Sequence, residues 1–186
     1  KNYKDKDNYY VSGLFEFNSS LPLIKENDFF QKILKPKLSL RMSPKNTKDI
    51  SGQTTRIDVN NIYSLNRISE NDTLEGGASL TYGTDYSIFN KRKNLDVFNI
   101  KLANNLRLKD NDDLPKNNQI HQKTSNLFSE ISYNPNKYIA AKYNTSIKNN
   151  LTDTDYQNLI AEFKVNNLVT TFDYLNENSS LDNSSY

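Results

Sequence analysis

Alternation of apolar and polar side chains constrains this chain more than any other feature of its sequence. Between positions 138 and 148, the odd positions carry Ile, Ala, Tyr, Thr and Ile, and the even positions from 140 carry Ala, Lys, Asn, Ser and Lys. A period of two places successive side chains on opposite faces of a β-strand. Similar stretches recur along the chain, and no helical period is sustained. The sequence therefore predicts an all-β fold with one apolar and one polar face.

Eight segments carry this alternation. The predicted strands are 10–21, 29–42, 74–89, 95–109, 126–134, 138–148, 156–165 and 168–176. Short connections alternate with longer ones, of which 43–73 and 110–125 are the longest, as in the short turns and long loops of outer-membrane barrels. Several segments exceed the ~5–6 residues of soluble strands and reach the ~9–11 residues that cross a bilayer. We therefore predict an antiparallel up-and-down meander of membrane-spanning strands.

Two sets of side chains define the predicted faces. The charged set, predicted to face a wet lumen, is Glu16, Lys35, Lys37, Arg41, Asp85, Lys101, Arg107, Glu130, Lys142, Glu162, Lys164 and Asp173. The set predicted to face lipid is Phe15, Leu38, Leu80, Leu102, Tyr143, Phe163 and Phe172. On the same reasoning, Asn105 is expected to face water.

Composition narrows the classes of function. The 186 residues include no Cys and a single His, which excludes a disulfide framework and a thiolate nucleophile and leaves little for a metal site. The net charge of +2 gives no electrostatic support for nucleic-acid binding. The Gly pair after Glu75 lacks the Lys–Ser/Thr of a phosphate loop, and the carboxylates at 110–113 lack the Gly and Glu of an EF-hand. We expect that the protein is not an enzyme, needs no cofactor and has no nucleic-acid partner.

Two other classes of protein share this pattern. A soluble β-sandwich binding module also alternates apolar and polar residues, and so does a passive outer-membrane pore. The mixed signs of charge on the polar faces and the aromatic residues near strand ends favour a membrane barrel over the sandwich.

The segment from 57 to 77 carries a resemblance to a known family. It reads IDVNNIYSLNRISENDTLEGG and resembles a segment of the LPS-assembly protein family, LptD. The positions that fit are Asp58, Asn61, Ile62, Tyr63, Ser64, Asn66, Arg67, Ile68, Asp72, Glu75, Gly76 and Gly77. Glu70 and Thr73 stand where the family tends to have Gly and Arg. Flanking strands extend the similarity over about 10–178.

The resemblance implies a piece of a larger protein. Family members have a periplasmic jelly-roll followed by a very large barrel in the outer membrane of Gram-negative bacteria. Residues 1–186 would be an interior stretch of that barrel without the jelly-roll, an open sheet with edges at 11–18 and 168–174. The family barrel inserts lipopolysaccharide into the outer leaflet, with the lipoprotein LptE as a plug and a periplasmic protein bridge as a second partner. The long loops would lie at the cell surface, and the turns 90–94, 135–137 and 166–167 in the periplasm.

Overall fold

The fold is described by a computed structural model that covers residues 12–44, 47–68 and 73–177. Nine strands are present there: β1 (Phe15–Ser20), β2 (Leu23–Glu26), β3 (Phe30–Ser43), β4 (Gly77–Asn90), β5 (Leu95–Arg107), β6 (Leu127–Asn136), β7 (Ile139–Ile147), β8 (Thr154–Val165) and β9 (Leu168–Glu177). None of the described residues belongs to a helix with the length and apolar character needed to cross a membrane.

All nine strands belong to one antiparallel sheet. Its order is β1-β3-β4-β5-β6-β7-β8-β9, with β2 also paired to β3. Strands β1 and β9 border the sheet and do not pair with each other, so the sheet is open. The predicted all-β, up-and-down meander is confirmed. A sandwich would need two facing sheets, and the described residues form a single sheet.

The first edge of the sheet differs from the prediction. A single strand was predicted at 10–21, whereas the structure has two short strands, β1 and β2, that pair with β3 in one continuous register. Pro36 interrupts the ladder between them: it accepts from the Leu21 N–H at 3.1 Å but has no N–H to donate in return. The chain reverses later than predicted, after β2, where the Asn27 side chain accepts from the backbone N–H groups of Phe29 and Phe30. Positions 10 and 11 lie outside the described residues.

Short turns and long loops lie at opposite ends of the sheet, as predicted. Asn94 and Asn166 adopt φ of 48° and 52° in two of the short turns, a conformation that asparagine tolerates better than most residues. At the other end, residues 44–76 connect β3 to β4 and residues 108–126 connect β5 to β6. We call these the first loop and the second loop.

The hydrophobic core lies between the loops and one face of the sheet. The first loop contributes Ile50, Ile57, Val59, Ile62 and Ile68, the second contributes Leu114 and Ile120, and the sheet contributes Ala103 and Phe128. The first loop therefore folds back over the sheet instead of extending away from its end. Burying these side chains beneath the loop stabilises that arrangement, because apolar burial is the main favourable term in folding.

The register assigns the two predicted sets of side chains to opposite faces. All twelve charged positions share the face that carries the first loop, which we call the polar face. All seven apolar positions share the other face, which we call the apolar face. On the apolar face Phe15 and Phe172 are each 56% exposed. Whether the two faces meet lumen and lipid stays a prediction.

Candidate functional site

Neighbouring strands build a polar platform beneath the first loop. Arg41 of β3 lies opposite Ser79 of β4, which lies opposite Arg107 of β5. One rung along the same strands, Thr81 lies opposite Asn105. Cross-strand partners on one face are close enough to interact, so five polar side chains from three strands form one continuous surface.

A carboxylate from the loop binds arginines from both the loop and the strands. Glu75 accepts hydrogen bonds from Arg67 Nε at 2.6 Å and from Arg41 Nη1 at 3.0 Å, and it also pairs with Arg107. Arg41 makes a second ion pair with Glu16 of β1 at 3.1 Å. We call these residues, three arginines and two glutamates, the arginine cluster. The Glu75 side chain is only 3% exposed, so the cluster lies out of contact with water.

The cluster determines the charge state of Glu75. Burial by itself would raise the pKa of this carboxyl group, but Arg67, Arg107 and Arg41 lower the pKa to about 2. Glu75 is therefore ionised at neutral pH, and the arginines donate to a full negative charge. A buried ion pair is strongly destabilised when one partner is removed, because the other charge is left without compensation.

A tyrosine of the loop packs onto a glycine in the middle of β4. A Cβ atom at Gly83 would collide with the Tyr63 hydroxyl and with the carbonyl oxygen of Leu102. A lone glycine within a strand often marks such a close approach. The ring of Tyr63 also receives the Lys37 ammonium group, 4.9 Å from its centroid, and burial raises the pKa of the Tyr63 hydroxyl.

A second polar contact fixes the middle of the loop. Asn60 donates to Glu130 Oε2 at 3.1 Å and accepts from Lys101 Nζ at 2.9 Å. Glu130 also pairs with Lys101 and with Lys142, each at 2.8 Å. The loop is thereby connected to β5, β6 and β7. Asp58 shapes this segment, since its carboxylate accepts from the backbone N–H of Asn60.

The loop reaches as far as β8. The guanidinium group of Arg56 lies 4.4 Å from the centroid of the Tyr156 ring, within the range of a cation–π contact. The Tyr156 hydroxyl donates to the carbonyl oxygen of Ile57 at 3.2 Å. Together with the bond from Arg41 of β3 to Glu75, these contacts place the loop across the polar face from β3 to β8.

Most residues of the sequence motif take part in these contacts between the first loop and the polar face, which we call the loop seat. Asp58, Asn61, Tyr63, Ser64, Arg67, Glu75, Gly76 and Gly77 shape the loop or bind strand residues. The carbonyl oxygens of Ser64 and Gly76 accept from Arg41 and Arg107 respectively. Gly77 has a φ of 90°, which few side chains tolerate. Asn66 lies in an exposed turn, and Asp72 lies outside the described residues.

The predicted charged set divides into two groups. Glu16, Lys37, Arg41, Lys101, Arg107, Glu130 and Lys142 contact the first loop or a group that contacts it. Further along the face, Glu162 pairs with Lys164 at 2.7 Å and Asp173 accepts from Asn158 at 2.7 Å, away from the loop. Asp85 joins the first group through its 2.8 Å ion pair with Lys37, and Lys35 lies next to that group, opposite Asp85 in the register.

Sequence reasoning missed residues that the loop requires. Gly83, Thr81 and Ser79 were not singled out, and the glycine within a strand was the one available signal. The expectation that Asn105 faces water was wrong. Asn105 is completely buried and donates to Thr81 Oγ1 at 3.0 Å, because the loop covers this part of the polar face.

The site is suited to holding a loop in place. Its carboxylates are occupied by arginine, lysine and asparagine donors, and no group of His, Cys, Asp and Glu among the described residues could hold a metal ion. The ion pairs and the Tyr63 contact join segments that are distant in sequence. Such contacts fix one conformation of the loop relative to the sheet.

Comparison with known proteins gives one family. The family model described as LptD, LPS transport system D, matches residues 2–186. A comparison with curated proteins finds no significant match. Members of the matching family act in lipopolysaccharide transport and assembly at the outer membrane and are not known as enzymes. Because this model matches essentially the whole chain, the chain belongs to the LptD family of the lipopolysaccharide transport system.

Proposed function

We propose that the chain is part of the wall of an outer-membrane barrel that inserts lipopolysaccharide into the outer leaflet. One structural observation supports this most: a sheet of nine long and short strands presents an apolar face on one side and a loop-covered polar face on the other. An amphiphile that crosses such a wall needs both environments, one for its acyl chains and one for its sugars and phosphates.

The apolar face is proposed to contact membrane lipid. Phe15, Leu38, Phe163 and Phe172 are exposed there, each by 41–56%. Contiguous exposed apolar surface of this kind is rare on monomeric soluble proteins and is normal for the outer wall of a membrane barrel. Leu80, Leu102 and Tyr143 lie on the same face.

The polar face is proposed to line the lumen, with the first loop folded inward. In this arrangement the loop narrows the passage, and the charged residues beyond it, such as Glu162 and Asp173, remain available to polar groups of the substrate. By family resemblance, the lipoprotein LptE would occupy part of the same lumen, and a periplasmic protein bridge would deliver the lipid.

The proposed orientation of the sheet in the membrane rests on the difference between its two ends. The long loops are proposed to lie at the cell surface and the short turns in the periplasm, as in known outer-membrane barrels. Because this chain has no Cys, single cysteines at Lys116 and Asn166 in an otherwise cysteine-free full-length protein test the orientation. We expect a membrane-impermeant maleimide to label intact cells at position 116 and not at position 166; the reverse pattern would contradict the proposal.

Depletion of the full-length protein tests the function itself. We expect lipopolysaccharide to fall at the cell surface and to accumulate behind the outer membrane, as followed by a surface-specific lipid A modification. If the protein were a passive pore, its depletion would instead leave surface lipopolysaccharide unchanged and would reduce the uptake of small solutes. That second result would contradict the assembly role and favour the pore.

A further inference from the structure

A groove of about 670 Å³ lies on the apolar face of the sheet. Strands β3 to β6 supply its floor, with apolar side chains from Pro36, Tyr82, Leu102 and Leu127. The connection between β7 and β8 supplies one wall, with Lys148, Asn149 and Leu151. Its volume falls in the range of small-molecule sites. The groove belongs to the opposite face from the first loop and the arginine cluster.

An asparagine stands in this apolar floor with one atom unsatisfied. Asn104 is 8% exposed, and its Nδ2 donates to the carbonyl oxygens of Ser125 and Asn126 at 3.0 and 3.1 Å. These two bonds define the orientation of the amide, since a flipped amide would set its oxygen against two carbonyl oxygens. The other atom, Asn104 Oδ1, is buried without a hydrogen-bond partner, as is Thr84 Oγ1 nearby on the same face.

Such an oxygen favours a ligand that carries a donor. A buried acceptor without a partner is destabilising, and a ligand N–H or O–H would supply the missing partner. Ester-linked acyl chains of glycerophospholipids have only acceptor oxygens where the chain begins. Amide-linked hydroxyacyl chains, which lipopolysaccharide carries, have both N–H and O–H donors there.

A lysine lies at the loop end of the groove. Lys148 is partly exposed and lies 3.7 Å from Asp155, a distance longer than that of a hydrogen-bonded pair. Its ammonium group therefore retains donors for a second, anionic partner. At the loop end of the sheet, which the proposed orientation places at the outer leaflet, that partner would be a phosphate of a lipid headgroup.

We propose that the groove binds one hydroxyacyl chain of lipopolysaccharide on the outside of the barrel wall. The apolar floor holds the chain, Asn104 Oδ1 accepts from the amide or hydroxyl group where the chain begins, and Lys148 binds a headgroup phosphate. This inference rests on the proposed function, because it requires the apolar face to lie in the membrane. It adds a specific lipid contact at a place away from the edges of the sheet.

Photocrosslinking in cells tests the proposal with the full-length protein. A photoreactive amino acid at Leu127 places the probe in the groove, and one at Phe17 places it on the same face, toward the same loop end of the sheet but outside the groove. The adducts are identified with an antibody to lipopolysaccharide and by mass spectrometry. We expect a strong lipopolysaccharide adduct at 127 and a weak one at 17. Lys148→Gln should reduce the adduct at 127 by about fivefold, the factor for one lysine near an anionic lipid surface, whereas Lys123→Gln, a loop lysine outside the groove, should not change it.

Three results would contradict the proposed binding of lipopolysaccharide in the groove. Equal lipopolysaccharide adducts at 127 and 17 would indicate bulk lipid contact only. A phospholipid adduct at 127 without lipopolysaccharide would assign the groove to a different lipid, and an adduct unaffected by Lys148→Gln would remove the headgroup contact. Failure of the proposed function is distinguished by the depletion experiment: normal surface lipopolysaccharide after depletion contradicts the function, whereas a loss of surface lipopolysaccharide with equal adducts contradicts the groove alone.

Discussion

Removing the charge of Glu75 should release the first loop from the sheet. The substitution Glu75→Gln keeps the size of the side chain but leaves Arg41, Arg67 and Arg107 with Glu16 as their one remaining carboxylate in the cluster. Loss of one partner from a buried ion pair costs about 3–5 kcal/mol. A carboxyl group whose pKa falls from 4.5 to about 2 on folding is stabilised by about 3 kcal/mol at neutral pH. The two estimates agree.

Trypsin cleavage of the loop under native conditions measures this effect. Arg56 lies in the loop, and cleavage after it requires the loop to leave the sheet, where Arg56 stacks on Tyr156. When opening and closing are fast, the cleavage rate follows the population of the open state. A loss of about 3 kcal/mol therefore raises the rate by about 100-fold. The assay uses the full-length protein in detergent, and mass spectrometry follows the cut after Arg56 separately from cuts after exposed lysines such as Lys48.

Glu162→Gln is the matched control. Glu162 lies on the same polar face, but its side chain is 31% exposed and pairs with Lys164. An exposed pair of this kind is worth about 0–1 kcal/mol, so cleavage of the first loop should stay near the rate of the unmodified protein. If Glu75→Gln left the cleavage rate unchanged, or if both variants raised it equally, the arginine cluster would not be what holds the loop.

Three further predictions concern the loop seat and the two faces. Gly83→Ala should displace the loop and speed its cleavage by trypsin, whereas Gly52→Ala, at a position with open space around it, should not; equal rates would contradict the close approach to Gly83. Because the pKa of Glu75 is lowered on folding, the stabilisation of the loop by this carboxylate should be complete above about pH 4.5 and be lost as the pH falls toward about 2. Hydrogen exchange of the loop amides measures this loss. Protection that is independent of pH over this window would contradict the role of the carboxylate. Tyr143→Arg should cost about 2–4 kcal/mol in bilayer unfolding if it lies at the midplane, and the adjacent Asn144→Arg on the polar face much less, so equal costs would contradict the assignment of the faces.

The sequence alone determined the strands and the two faces. A period of two is a local property, because each side chain points away from its immediate neighbours whatever the rest of the chain does. For this reason the positions of Tyr143 and Lys142 on opposite faces could be predicted without the structure. The alternation of connection lengths likewise determined which loops share an end of the meander, since antiparallel neighbours reverse direction at every connection.

Single positions limited the accuracy of the strand prediction. Pro22 and Pro36 are separated by 14 positions in the sequence, yet they fall side by side where β1 and β2 pair with β3 in one register. Pro22 is compatible with an edge strand, whereas Pro36 lies in β3, which pairs on both sides, and its missing N–H faces Leu21. Which ladder bond is lost depends on the register, and the register was not predicted at the level of single residues.

Only the tertiary structure decided that the first loop lies on the polar face. The contact from Asn60 to Glu130 joins residues 70 positions apart, and Tyr63 packs onto Gly83 of a different element. No local pattern encodes such pairs. The sequence pattern of a charged face is therefore the same whether that face is open to water or covered by a loop. The motif residues Arg67 and Glu75 could be recognised by resemblance, but their partners Arg41 and Arg107 are joined to them only once three strands align. Folding the loop inward changes buried Asn105 and Arg107 from surface groups into parts of a core, because burial depends on what covers a residue as well as on the face it occupies.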